Sequence, residues 1–372
     1  MILKTDCKYY VGDRPCKFSK AEGVMCVCGY YSPVRFKIMI IKLDALGDVL
    51  RTTSLLISLK KQYPDSFITW VTRTDSKAIF KNNPFVDELL FYEDPFTTYK
   101  MLNEKFDLLI HPDASPSSAA MASSVHAKEK RGFVMNEKGK VEAANSESET
   151  WLEMGVFDQF KKANTITYQQ HIHNIAKIPF DKEEILLYLS DDEKNFAHEF
   201  YVKNNLSKFK KLIGLNTGAS KRWQFKQWRD EGFVELIEKL QKHPDTGILL
   251  YGGEEEKEKN NFLKSKFPNV IDTGSNNSLR QFFALMDLAD IVLTGDTMAL
   301  HVATALKKKV ICYFGPTSAN EIEDYGRMIK IQPEMDCLVC YKQQCDFIPN
   351  CMQLISADMI YNAIIAFSKV VI

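Results

Sequence analysis

Residues 291–317, IVLTGDTMALHVATALKKKVICYFGPT, hold the densest group of side chains able to handle an anion. An apolar run ends in Gly295-Asp296-Thr297, a stretch with helical spacing carries His301, and a second apolar run ends in Gly315-Pro316-Thr317. A strand, polar loop, helix and strand in that order make a βαβ unit of a parallel sheet, whose ligands sit at the carboxyl ends of the strands. Gly315 allows close backbone approach and the free amides at the helix start favour a negative charge, so the chemistry expected is phosphate or nucleotide binding. The bland reading keeps Asp296-Thr297 as a helix cap and His301 as a packed histidine. A second span adds to the first. Thr217-Gly218 follows another apolar run and Lys221, Arg222 and Trp223 come just after it, where a phosphate would meet amides, hydroxyls and cations together; an exposed basic turn is the alternative.

Eight of the nine cysteines form two groups, Cys7, Cys16, Cys26, Cys28 and Cys337, Cys340, Cys345, Cys351. Four thiolates close a tetrahedral zinc site, and iron or an iron–sulfur cluster suits the same ligands. The spacing of Cys337 and Cys340 is the usual C-x-x-C, whereas Cys26 and Cys28 stand one residue closer. Structural metal, unligated thiols and disulfides are the three readings for each group. Cys312, inside an apolar run, reads as a small core residue.

The elements that must position these residues alternate. In the first half, strands are expected at 36–43, 67–71, 88–91, 106–111 and 130–133, with Asp44 to Asp48 turning the first into a helix over 49–62. Residues 136–165 are polar and aperiodic enough to read as a surface loop beside a cleft. Strands at 212–215, 248–251, 270–272, 291–294 and 310–314 alternate with helices in the second half, and 356–369 is a closing helix. The fold class is α/β with two doubly wound domains. The divisions fall at 1–35 (a Cys-rich segment), 36–185, 186–350 and 351–372.

The chain has 372 residues, 45% of them apolar and 26% charged, enough for two cores. Lys plus Arg and Asp plus Glu are both 48, so no net field steers the protein to nucleic acid or holds it on an acidic bilayer. No apolar run approaches the about 18 to 20 residues that span a membrane. The reading is a soluble cytoplasmic protein with at most peripheral contact at the inner face of the membrane. No G-x-G-x-x-G follows a strand, which argues against a dinucleotide-dependent dehydrogenase, and the Gly214 to Lys221 stretch is one residue short of a P-loop, which argues against an ATPase.

Residues 41–52, IKLDALGDVLRT, then Gly218-Ala219-Ser220-Lys221-Arg222-Trp223 with Trp228, then Gly295-Asp296-Thr297 with His301, then Phe314-Gly315-Pro316-Thr317, resemble the motifs of the ADP-heptose:lipopolysaccharide heptosyltransferases of glycosyltransferase family 9. The resemblance runs in order from about residue 36, and the C-terminal cysteines match a pattern of some members. It implies a GT-B fold, two facing Rossmann-like domains with the site between them and a last helix crossing back onto the first domain. It also implies an inverting glycosyltransferase without a catalytic cofactor. Asp48 matches the general base; a first-turn helix carboxylate is its structural alternative. Thr217, Gly218, Lys221, Glu254, Asp296, Thr297, His301, Gly315, Pro316 and Thr317 match donor-side positions, Glu254 through ribose hydroxyls, although Glu254-Glu255-Glu256 also suits a solvated helix start. The partners implied are a nucleotide-sugar donor, ADP-heptose foremost, and a glycan or lipid-linked acceptor. A protein hydroxyl acceptor, a nucleotide-sugar epimerase and a non-catalytic binding protein are the alternatives.

Overall fold

The computed structural model describes residues 3–219, 225–342 and 344–369. Two six-stranded sheets carry it. The first contains β1 (Phe36–Ile41), β2 (Ser66–Thr72), β3 (Glu88–Phe91), β4 (Lys105–His111), β5 (His126–Met135) and β6 (Val141–Ala143), in the order β3-β2-β1-β4-β5-β6. The second contains β7 (Lys211–Asn216), β8 (Thr246–Tyr251), β9 (Ile271–Asp272), β10 (Ile291–Gly295), β11 (Lys309–Tyr313) and β12 (Met328–Ile331), in the order β12-β11-β10-β7-β8-β9. Read from its first strand, each sheet winds outward in the same doubly wound way. β1 has β2 on one side and β4 on the other, and β7 has β8 and β10. All these pairings are parallel except β5 with β6. Helices cover both faces, which is why FKIMII and IVLTG are apolar without alternation and are almost wholly buried.

In such a sheet ligands bind where the winding reverses, outside the carboxyl ends of the strands. Those points lie between β1 and β4 and between β7 and β10. They fall at Asp44–Asp48, at Asp113, at Thr217–Gly218 and at Asp296–Thr297, so three of the four expected polar loops stand at a reversal point.

Several expectations need correction. Residues 136–165 are not a loop: they hold β6, the helix Ser146–Val156 and the helix Asp158–Ala163. Their polar composition hid an apolar seam, in which Met154 is buried and Trp151 stacks edge-on against Tyr168 and His171. The first long helix is two, Leu46–Thr52 and Leu55–Gln62, because the Thr53 hydroxyl donates to the Leu50 carbonyl and accepts from the Leu186 amide. The last helix, Ala357–Lys369, does not cross back. It packs on Asp230–Leu240, β11 and β12 of the second domain, with Ile360 and Ile364 in the same core as Ile213 and Leu236. Trp228 Nε1 donates to the Ile355 carbonyl just before it.

The two domains are joined by apolar burial and by arginines. One cluster of buried side chains runs from Ile38 and Leu50 through Tyr168 and Ile185 to Leu300 and Val302. On the flank, Arg280 of the second domain donates to the Ala78 carbonyl of the first, to the Tyr188 carbonyl and to Glu193, and Lys81 reaches the same carboxylate. The Arg280 guanidinium beside Glu193 holds that carboxyl far below its usual range. Arg327 pairs with Glu184 at 2.7 and 2.9 Å. Arg280→Ala therefore lowers the unfolding midpoint in urea by the equivalent of about 1.5–3 kcal/mol, the worth of charge-assisted bonds at a part-buried site. Lys210→Ala, which removes an exposed pair with Asp245, leaves it unchanged. Equal effects of the two substitutions overturn the assignment of Arg280 as an interdomain clamp.

Candidate functional site

A cavity of about 820 Å³ opens between the two sets of strand ends. Its first-domain wall is the β1 loop, Ala45 to Asp48, with Arg51 one turn on. Its second-domain wall includes Gly218, Lys226, Glu255, Asp296, Thr297 and His301. The arrangement thus brings Asp48, Gly218, Asp296, Thr297, His301 and Thr317 of the expected residues to one place.

Asp48 lies in the first turn of Leu46–Thr52, but its carboxylate does not cap the helix. Oδ1 accepts from Arg51 Nη2 at 2.7 Å and Nε at 3.0 Å. Burial works to raise the Asp48 pKa, and Arg51, Lys42 and His301 outweigh it, so the group is held below the ordinary carboxylate range. Arg51 is itself fixed, its guanidinium 3.5 Å above the Tyr168 ring while the Tyr168 hydroxyl meets Thr52 Oγ1 at 2.9 Å. Behind the loop, Lys42 and Asp113 form a buried ion pair, and Lys42 Nζ also reaches Asp44 at 2.9 Å. Burial disfavours the Lys42 ammonium, but Asp113 together with Tyr168 and Asp44 holds it protonated. Leu43 and Asp44 donate backbone amides to the Asp113 carboxylate, which ties the β1 loop to the end of β4. Composition alone did not single out Asp113 or Lys42. Their signal is a charged residue at each of two neighbouring strand ends.

Across the cavity Lys226 Nζ contacts Asp296 Oδ2 at 2.8 Å and the Asp296 carbonyl at 3.2 Å. Burial would raise Asp296, but Lys226 and His301 bring it down to about 2. His301, one turn into Met298–Ala305, is brought down to about 4 by burial first and by Arg51 next, so it is a neutral imidazole at neutral pH. Gly47 makes that packing possible: a Cβ there would stand 2.6 Å from His301 Cδ2. Gly218 is constrained in the same way by the Glu256 carboxylate, which a Cβ would meet at 2.1 Å. Thr297 precedes the helix with no side-chain cap bond; its hydroxyl is 3.2 Å from Thr294 Oγ1, and Met298 and Ala299, which follow it, line the cavity. Glu321 adds a further carboxylate, accepting from the Tyr341 hydroxyl at 2.8 Å and raised above its usual pKa by burial. Lys226 and Glu321 were both missed from sequence, since each lies outside the motif spacing and is carried in by the fold.

Other expected residues stand elsewhere. The Thr217 hydroxyl turns inward, to Asn260 Oδ1 at 2.7 Å and the Tyr251 carbonyl at 3.2 Å, so it braces β7 against β8 instead of facing a ligand. Glu254 is exposed and pairs with Lys257, while Glu255 and Glu256 line the cavity; a short 3₁₀ turn rotates the run by one position. Lys221 lies outside the described residues. Gly315 and Pro316 do not line the cavity; they stand against the C-terminal cysteines, their carbonyls accepting from the Val339 and Tyr341 amides. Thr317 does reach it, with a buried hydroxyl that has no partner among the described residues.

The C-terminal cysteines come together. Cys337, Cys340, Cys345 and Cys351 line a small cavity of about 20 Å³ against Gly315 and Pro316. Burial and the three other thiols push Cys351 up to about 11. Among the described residues, no three His, Cys, Asp or Glu side chains stand at the spacing of a single metal ion, so neither group is a zinc site as placed. No described helix is long and apolar enough to cross a membrane.

The sequence profile of Glycosyltransferase family 9 (heptosyltransferase) matches residues 97–349. Over 312 residues the chain is 23% identical to the lipopolysaccharide core heptosyltransferase OpsX of Haemophilus influenzae, covering 79% of this chain and 84% of that protein. Among solved structures, it is similar to a glycosyl transferase family 9 protein from Veillonella parvula, with a TM-score of 0.69 and 18% identity over 90% of this chain and 97% of that one. It is also similar to the E. coli ADP-heptose LPS heptosyltransferase II, with a TM-score of 0.64 and 17% identity over 89% and 98%. The paired Rossmann-like domains, the cavity at their facing strand ends and the matched profile lead to one conclusion: the chain belongs to glycosyltransferase family 9 and has its two-domain GT-B fold.

Proposed function

We propose that the chain moves a heptose from ADP-heptose onto a lipopolysaccharide-core glycan, with inversion at the anomeric carbon. The observation that carries this reading is the placement of a lone-sided carboxylate, Asp48, opposite the Lys226–Asp296–His301 group across one cavity. Both Arg51 bonds fall on Oδ1, and Oδ2 accepts none among the described residues, which leaves it to receive a proton. The acceptor hydroxyl gives its proton to Asp48 Oδ2 as its oxygen bonds to the anomeric carbon, and the bond from that carbon to the diphosphate oxygen breaks in the same displacement. The departing ADP carries the negative charge away. Lys226 and the amides at the start of Met298–Ala305 face that charge, and being fixed before the reaction they need no reorganisation. Lys221, which lies outside the described residues, supplies a further cation in this reading. The names of the relatives, a lipopolysaccharide core heptosyltransferase and an ADP-heptose heptosyltransferase, support the donor and the acceptor class.

Replacing Asp48 with Asn or Ala lowers kcat by about 10²- to 10⁴-fold, the range of a positioned proton acceptor. Affinity for ADP, read by calorimetry, stays within about threefold, because Arg51 and not the nucleotide is the partner of Asp48. Loss of ADP binding together with turnover makes Asp48 structural. Lys226→Ala weakens ADP binding by about 10- to 100-fold, as removal of a charge-assisted contact of about 1.5–3 kcal/mol does. Unchanged affinity removes Lys226 from the donor site. The base must be ionised, and Asp48 is held below its ordinary value, so kcat stays level as the pH falls from 7 to about 5 and declines only below that. A half-maximal rate near pH 6.5 instead assigns the step to an unperturbed histidine.

A further inference from the structure

The first domain is preceded by a segment that the transfer reaction does not use. Its only helix, Lys17–Glu22, has six residues and none of them is buried. No described residue before Ile38 belongs to the buried core. What apolar contact exists is a small aromatic stack, Phe18 on Tyr30 at 3.9 Å with Tyr9 edge-on to Phe18 at 4.9 Å. The segment nonetheless has a defined path. Lys8 donates its amide to the Ser32 carbonyl, Val34 to the Asp6 carbonyl, and the Lys8 ammonium pairs with Asp87 beside β3. A stretch this short that buries no core needs a staple to hold such a path, and the usual staples are disulfides or metal.

The cysteines stand where a staple would act. Cys7, Cys16, Cys26 and Cys28 all line one cavity of about 550 Å³ formed within the segment, and each is partly buried. They enter it from three directions: Cys7 from its isolated bridge to Pro33, Cys16 from the N-cap of the short helix, and Cys26 and Cys28 from the turn after Gly23. The Cys16 sulfur already accepts from the Ser19 amide at 3.5 Å, the kind of bond that steadies a thiolate. Gly23, at φ +69°, closes the helix and turns the chain back toward the cavity, a conformation suited to glycine.

We propose that these four thiols hold a thiolate-ligated metal centre which staples the segment to the edge of the first domain, remote from the transfer site. Two occupants share that chemistry. A single zinc with Zn–S near 2.3 Å requires sulfurs about 3.8 Å apart. An iron–sulfur cluster fills the middle of the ring with its own sulfide and accepts a wider one. Among the described residues no three of the thiols stand at single-ion spacing, so a lone ion requires them to draw together, and the metal and sulfide content decides between the two occupants.

Full-length protein is purified without oxygen, and iron, zinc and acid-labile sulfide are measured beside the visible absorption spectrum. Cys16→Ser and Cys28→Ser are compared with the parent and with Cys340→Ser, which leaves the N-terminal group intact. The expected result is bound metal lost in the first two variants and retained at those positions in the third, with ADP affinity unchanged in Cys16→Ser and Cys28→Ser. Iron with sulfide identifies a cluster and zinc without sulfide a single ion. Metal content in Cys16→Ser and Cys28→Ser equal to the parent overturns the proposal, and so do disulfides joining these four cysteines in the protein as isolated. Where a variant does not fold, alkylation of the parent decides. Protection of the four thiols that chelator removes supports the centre, and immediate labelling of all four without chelator overturns it.

Discussion

The approach of the β1 loop to His301 is the constraint on which the site depends. Gly47 carries no side chain because the imidazole occupies that space, and the loop can lie against the second domain only on that condition. The contact puts Asp48 on the cavity wall facing Asp296 and Lys226, and it continues a buried apolar cluster that crosses between the domains. A methyl group at Gly47 would force the loop or the imidazole to shift, and with it the separation between Asp48 and the Lys226–Asp296 pair. The site therefore belongs to neither sheet alone. Each sheet supplies loops at its own winding reversal, and domain packing fixes the distance between them.

Charges around the cavity are held in pairs: Asp48 with Arg51, Asp296 with Lys226, Lys42 with Asp113. Taking an ion from water is costly, and these pairings, with backbone amides added at Asp113, keep that cost tolerable. Pairing also fixes direction. Arg51 is stacked on Tyr168, which is in turn bonded to Thr52 and to the Glu321 carbonyl, so the Asp48 carboxylate has little freedom to turn. Such preorganisation suits a reaction in which charge moves from an acceptor hydroxyl to a leaving diphosphate.

The two cysteine groups differ in what surrounds them. The C-terminal four are packed against Gly315 and Pro316, whose carbonyls accept from Val339 and from Tyr341, and Tyr341 lines the main cavity, so their arrangement bears on the shape of the site. The N-terminal four sit in a segment attached at the far edge of the first sheet, through Asp87 and Pro33. Disturbance of the first group reaches the main cavity through Tyr341 and Glu321, whereas the second group has no such contact among the described residues.

Period and punctuation in the sequence were enough to determine two α/β domains. Continuous apolar runs such as FKIMII and IVLTG are what strands buried on both faces require, and the small or acidic residues that end them mark the carboxyl ends where ligands gather. That Asp48, Asp296 and His301 would gather at one cavity was legible for the same reason, since each lies within a few residues of a strand end. What tertiary structure alone decided is which side chains turn inward and which distant ones arrive. Thr217 is consumed by Asn260, the 3₁₀ turn replaces Glu254 with Glu255 and Glu256, and Lys226 and Glu321 reach the cavity from outside any motif. The last helix stays on the second domain because Ile360 and Ile364 find their apolar partners there, and the helices of residues 146–163 are held by contacts of Trp151 and Met154 that a polar stretch does not advertise. Local sequence specifies an element and its ends, whereas rotation about a turn and burial against a distant surface are settled by packing that no short window contains.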